Sequence, residues 1–194
     1  MSGRYVVLLS LRGSRLDKTT YSHGPSVVAL AKGIASGMPL SVCMTRAEFM
    51  DWPPGSHAST FGGNPVSIAA ALATMDILER EAIANAARLG DHMMQRMQTW
   101  IAKYPIVGDV RGRGLMIGVE IVRDQESRFP AGGKRDAIVQ LAFERGVLCL
   151  GAGPNTIRLS PPLIVSREQT DIALDIFEEC IGQVSGSEGT EGIE

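Results

Sequence analysis

The sequence predicts an α/β fold, and three observations carry that expectation. Short apolar runs of four to eight residues recur along the chain, at 26–31, 39–44, 115–122, 147–150 and 156–160. Between them lie longer stretches with helical spacing of apolar residues, at 66–78, 82–104, 134–145 and 166–184. Gly, Pro and Asn punctuate the joints, at Lys32-Gly33, Pro53-Pro54-Gly55, Gly62-Gly63-Asn64-Pro65 and Gly151-Ala152-Gly153-Pro154.

Each element has a local reason. Ser26 to Ala31 reads as a buried strand that ends at Lys32-Gly33, and Pro39 to Met44 as a second. Asn64 is a good N-cap and Pro65 suits the first helical position, so a helix is expected over Val66 to Leu78. It is apolar on most sides and is expected to be largely buried. Ala86, Leu89, Met93, Met97 and Trp100 repeat at helical spacing, which gives a helix from Ala82 to Tyr104, stopped by Pro105. A domain boundary is expected at Tyr104–Gly108. Leu115 to Val122 reads as a strand, and Lys134 to Arg145 as an amphipathic helix ended by Gly146. Val147 to Leu150 and Thr156 to Ser160 read as strands, and Ser166-Arg167-Glu168-Gln169 as a capping box for a last helix to about Val184. The second half is thus expected to be a β-α-β-β-α unit. Residues 1–24 stand apart: Val6 to Leu9 reads as one strand, Arg12 to His23 as loop, and the 185–194 tail as frayed.

Composition narrows the function. The 194 residues are 44% hydrophobic and 21% charged, which excludes a disordered chain. Lys and Arg number 19 against 21 Asp and Glu, a net charge of -2 with no basic cluster, so no nucleic-acid partner is expected. No apolar run reaches the ~18 residues of a membrane span, so no membrane association is expected. Three cysteines, Cys43, Cys149 and Cys180, are expected to be buried free thiols in a reducing cytoplasm. Their spacing suits no metal site.

Three places carry chemistry. Lys32 leaves an apolar strand into a Gly-rich turn, where partial desolvation would favour a neutral, nucleophilic amine; capping of a strand end is the plainer reading. His57 to Pro65 combines hydroxyls, glycines and a helix N-terminus, the parts of an anion site, with a simply capped loop as the alternative; His57 is a candidate base. Arg158 lies within a short apolar strand and needs a partner, either a carboxylate-bearing ligand or a structural ion pair.

Four segments in order, Val28 to Leu40, His57 to Pro65, Arg111 to Gly118 and Ile157 to Leu163, resemble the class III pyridoxal-phosphate aminotransferases. The resemblance covers Pro25 to Val184, and Ile34 to Pro39 is worded most like 4-aminobutyrate aminotransferases. It implies part of the large domain of the fold-type I aminotransferases over residues 25–104, then a small C-terminal α/β domain over 105–184. It implies that Lys32 forms the internal Schiff base with pyridoxal 5'-phosphate and shuttles the substrate proton. It implies that Thr60 reaches the cofactor phosphate of a neighbouring subunit, so that the protein is a homodimer with a shared site, and that Arg158 grips a substrate carboxylate. The reaction would pass an amino group from an amino acid to a 2-oxo acid such as 2-oxoglutarate. Racemases and epimerases share the scaffold and are an alternative.

Family members are about twice as long. The Asp that pairs with the pyridine nitrogen, the phosphate loop and the aromatic that stacks on the cofactor are not found upstream of Lys32. Residues 1–24 look like an unmatched leader, and the chain like the C-terminal half of an aminotransferase. Loss of neighbours in a parallel sheet would leave strands 26–44 with bare edges, so impaired activity is expected. A non-catalytic interaction module is the further alternative.

Overall fold

The computed structural model describes residues 27–45, 49, 51–56 and 58–186. The expectations for residues 1–24, for His57 and for most of the 185–194 tail lie outside them. The chain divides into two compact units at Ile83/Ala84.

In the first unit, β1 (Val27–Leu30) pairs antiparallel with β2 (Val42–Thr45), Leu30 opposite Val42 and Ala29 opposite Cys43. The Lys32–Ala35 turn and the return after it bring the two strands back side by side, so the pairing is antiparallel. Helix α1 (Pro65–Ile77) follows, then a π-helical turn, Leu78–Ala82. The Asn64 side chain caps α1, accepting hydrogen bonds from Val66 N–H at 2.9 Å and Ser67 N–H at 3.2 Å. Its composition predicts a largely buried helix, but most of it is not buried. Only Ser67 and Ala71 are buried, while Val66, Ile68 and Leu72 are exposed. The unit's core is Ile34, Ala35 and Ala71, too few side chains to cover a helix that is apolar on every side.

The second unit opens with α2 (Ile83–Lys103), whose Leu89, Met93, Met97 and Trp100 form one buried stripe. That stripe belongs to the second unit's core, and the chain divides into its two compact units before α2. Strands β3 (Val107–Arg113), β4 (Met116–Ile121), β5 (Leu150–Ala152) and β6 (Thr156–Leu159) form an antiparallel sheet in the order β3-β4-β6-β5. Helices α3 (Gly132–Glu144) and α4 (Arg167–Gly186) complete the unit. Strand β3 is an addition to the expected order, and β5 starts at Leu150 rather than Val147.

Alternation sets the layers. Val110, Ile117, Val119, Ile121, Ile157 and Leu159 are buried with α2, Ile138 of α3, and Leu174, Phe177 and Ile181 of α4. Trp100 and Phe177 meet with ring centroids 5.8 Å apart. The Ser166–Gln169 capping box forms as expected: Gln169 N–H donates to Ser166 Oγ at 3.1 Å, and Ser166 N–H donates to Gln169 Oε1 at 3.0 Å. Buried Asn155 donates to the Ile121 carbonyl at 2.8 Å and ties the β5–β6 turn to β4. Cys149 and Cys180 are buried as expected, but Cys43 is exposed because the two-stranded sheet leaves that face open.

Candidate active site

Lys32 sits where β1 ends. Ala31 is extended, and Lys32 then turns to a φ of 56°, in the left-handed region. Only a few per cent of non-glycine residues adopt that conformation, at a cost of about 1–3 kcal/mol. Packing just beyond holds it. Ile34 and Ala35 are buried against Ala71 of α1, and Ser36 Oγ lies 2.9 Å from Thr74 Oγ1. The lysine itself is exposed, and its amine has no ion pair or hydrogen bond among the described residues. The turn therefore fixes the backbone and leaves Nζ uncommitted, which fits covalent attachment of an aldehyde-bearing cofactor.

Thr60 lies in the turn before α1. Gly62 N–H donates to Ser59 O at 3.2 Å, Asn64 N–H donates to Phe61 O at 3.3 Å, and Gly63 has a φ of 73°. Thr60 is exposed. The α1 N-terminus offers an anion no free backbone donor. Pro65 has none, Val66 and Ser67 donate to the Asn64 side chain, and Ile68 donates to Asn64 O at 3.0 Å. Asn64 thus caps the start of α1 with its own side chain and carbonyl. Ser59 and Thr60 present exposed side-chain hydroxyls in the turn before the helix.

Arg158 belongs to the second unit. It is exposed on β6 between buried Ile157 and Leu159 and has no ion pair or hydrogen bond among the described residues. The structural ion pair weighed for it is absent among them. The sheet places Arg158 opposite Gly118, and Gly118 opposite Arg111. Arg111, Gly112, Arg113, Met116, Gly118, Ala152, Thr156 and Arg158 line a hollow of about 500 Å3 on this face. Arg158 is expected from the sequence as a site residue; Arg111 and Arg113 beside it are not. A signal existed in the Arg-Gly-Arg-Gly run, where two arginines alternate as neighbours on one face of a strand would.

Comparison with known proteins agrees with this architecture. The model of the aminotransferase class-III family matches residues 16–181, and the chain belongs to that family. The match starts inside the stretch 1–24 that was expected to be an unmatched leader. Among relatives, a leucine/methionine racemase of Thermococcus litoralis is 38% identical over 172 residues, covering 87% of this chain and 39% of its own length. An acetylornithine aminotransferase of Gloeobacter violaceus is 40% identical over 156 residues, 79% of this chain and 37% of that one. An amine transaminase from an uncultivated Pseudomonas species, solved with pyridoxal phosphate bound, superposes with a TM-score of 0.79 at 32% identity, over 89% of this chain and 41% of that chain. The chain thus spans about two fifths of the proteins it matches, and its mixed helix and sheet is part of the pyridoxal-phosphate aminotransferase fold. Class III aminotransferases depend on pyridoxal phosphate. They use amino acids and 2-oxo acids and are typically dimeric. Among the described residues no helix is long and apolar enough to cross a membrane.

Proposed function

We propose that this chain serves pyridoxal-phosphate-dependent transfer of an amino group from an amino acid to a 2-oxo acid, with Lys32, Thr60 and Arg158 as its working residues. One observation carries the reading: in a member of this family, Lys32 is held at a φ of 56° with an amine that nothing among the described residues engages. Lys32 would hold the cofactor through Nζ. When bound, the cofactor supplies an electron sink for charge developing at the substrate Cα. Once a substrate amine has displaced it from the cofactor, Lys32 Nζ would be a free amine able to take the proton from Cα and to give one back later in the same turnover. The Thr60 hydroxyl donates to the cofactor phosphate of a neighbouring subunit, which makes the working unit a homodimer. Arg158, uncommitted on the sheet face, grips a substrate carboxylate through two parallel N–H bonds.

The test is borohydride reduction of the chain incubated with pyridoxal phosphate, followed by peptide mapping. Modification concentrated at Lys32 is expected. Label absent, or spread over Lys103 and Lys134 as much as Lys32, overturns the reading.

Amino-acid racemisation is the second reading, favoured by the 38% identity to a leucine/methionine racemase. It needs the same amine but no 2-oxo acid. Loss of optical activity from a single amino acid without an acceptor would select it.

A further inference from the structure

Lys32 and Ser36 bracket one short turn, and both stand in the left-handed region, at φ 56° and 47°. Among the described residues three non-glycine residues have a positive φ, so two of the three lie in this one turn. Side chains rarely adopt that conformation and keep it only where their surroundings hold them. In the middle of the turn Ile34 and Ala35 are buried against Ala71 of α1. Apolar contact of that kind has no preferred direction and fixes no angle. The directional contact comes at the far end, where Ser36 Oγ lies 2.9 Å from Thr74 Oγ1, one helical turn beyond Ala71.

The roles of the two hydroxyls follow from the one hydrogen that each carries. Thr74 Oγ1 donates to the Ala70 carbonyl at 2.8 Å, inside α1. Its hydrogen is spent there, so Thr74 can only accept from Ser36. Two hydrogen bonds in series therefore run from Ser36 through Thr74 to the helix backbone, and each polarises the other. The turn also closes on itself: Ser36 N–H donates to Gly33 O at 3.2 Å, and Met38 N–H donates to Ala35 O at 3.1 Å. Movement at Ser36 is thus passed back to the residue next to Lys32.

We propose that Ser36 is a positioning residue for Lys32: its hydroxyl, donating to Thr74, straps the lysine-bearing turn to α1 and holds the backbone from which Nζ is presented. The assignment rests on the role of Lys32 in the proposed function and deepens it.

The test compares the 194-residue chain with two variants at position 74. Thr74→Val keeps nearly the same shape and removes the hydroxyl, whereas Thr74→Ser keeps the hydroxyl. Amide hydrogen exchange reads the turn. The Ser36 and Met38 amides should exchange about fivefold faster in Thr74→Val, as for one lost hydrogen bond, and within about twofold of the unaltered chain in Thr74→Ser. Borohydride labelling over a series of pyridoxal-phosphate concentrations reads the amine. Half-labelling at Lys32 should need about fivefold more cofactor in Thr74→Val but not in Thr74→Ser, with label at Lys103 and Lys134 the same in all three chains. Should the valine variant not fold, Ser36→Ala removes the same hydrogen bond from the exposed side, with the same two effects expected.

Ser67→Ala is the control. It removes from the same helix a buried hydroxyl that has no hydrogen-bond partner among the described residues, and it should change neither readout. An effect as large as that of Thr74→Val would show that any disturbance of α1 suffices, and overturns the assignment. Faster exchange with undiminished labelling at Lys32 overturns it too, since the hydrogen bond would then be structural alone. The two readings fail distinguishably. Equal labelling of Lys32 in all chains sinks only the positioning role, whereas no label at Lys32 in the unaltered chain sinks the cofactor reading and the positioning role with it.

Discussion

Gly90 of α2 and Gly114 of the β3–β4 turn pack backbone against backbone. A Cβ built on Gly90 would lie 2.3 Å from the Gly114 carbonyl oxygen, closer than any real contact allows. The helix can therefore lie against the hairpin only with glycine at position 90. Gly90→Ala should destabilise the chain by about 1–3 kcal/mol, the usual cost of overpacking, although alanine is the better helix former by about 1 kcal/mol. Urea unfolding of the two chains measures it. A raised midpoint for the alanine variant would show that the contact yields easily.

Acid should loosen the seam between α2 and α4. His92 Nε2 lies 2.5 Å from Asp171 Oδ1. That hydrogen bond, with Arg167 and Arg96 nearby, holds the Asp171 carboxyl below its ordinary value of 3.8. Burial pushes Glu178 up, but hydrogen bonds from Lys103 at 2.6 Å and Arg96 at 3.0 Å outweigh it and leave that carboxyl below its ordinary 4.5. Both groups release their proton more readily in the folded chain than in the unfolded one. Their support is present above the ordinary carboxylate range and is lost as pH falls through the lowered values. The melting temperature should drop between roughly pH 5 and pH 3, and Asp171→Asn should flatten part of that drop. An identical pH profile for the variant would remove Asp171 from this role.

The three thiols should separate by reactivity. Burial, with a smaller contribution from Cys180, pushes the Cys149 thiol up to about 11, and burial also raises Cys180. Cys43 is exposed. The thiolate is the reacting form, so iodoacetamide near pH 8 should label Cys43 first and reach the other two only after denaturation. Mass mapping over time reads the order, and Cys43→Ser should abolish the fast phase.

The left-handed backbone at Lys32 gives a stability signature independent of activity. Lys32→Gly should hold or raise the unfolding midpoint, since glycine releases about 1 kcal/mol of strain at φ 56°. Lys32→Val should lower it, because a β-branched side chain suits that region least. Both should abolish labelling by pyridoxal phosphate at this position. A valine variant as stable as the lysine chain would show the turn to be relaxed.

Elements set by local chemistry were legible in the sequence. The Asn64-Pro65 start of α1 and the Ser166–Gln169 box of α4 appear where their side chains dictate, because caps act within three residues of themselves. Strand β3 was not legible. Gly108, Asp109, Arg111, Gly112 and Arg113 give it little apolar alternation, and it becomes a strand through pairing with β4. The exposure of α1 was hidden for the opposite reason: an apolar helix states what it could bury, not what its own unit supplies to cover it. Lys32 and Arg158 stood out individually. That Arg111 and Arg113 face the same hollow as Arg158 depends on the register of two strands against β4, which couples residues far apart in the sequence.

The four-stranded sheet keeps its two sides independent. Arg111, Gly118 and Arg158 each neighbour a residue locked into the hydrophobic interior, so side chains on the open side can be exchanged without disturbing the scaffold beneath. Such a division lets one framework diversify its chemistry by exchanging a handful of surface positions while its folding instructions stay unchanged.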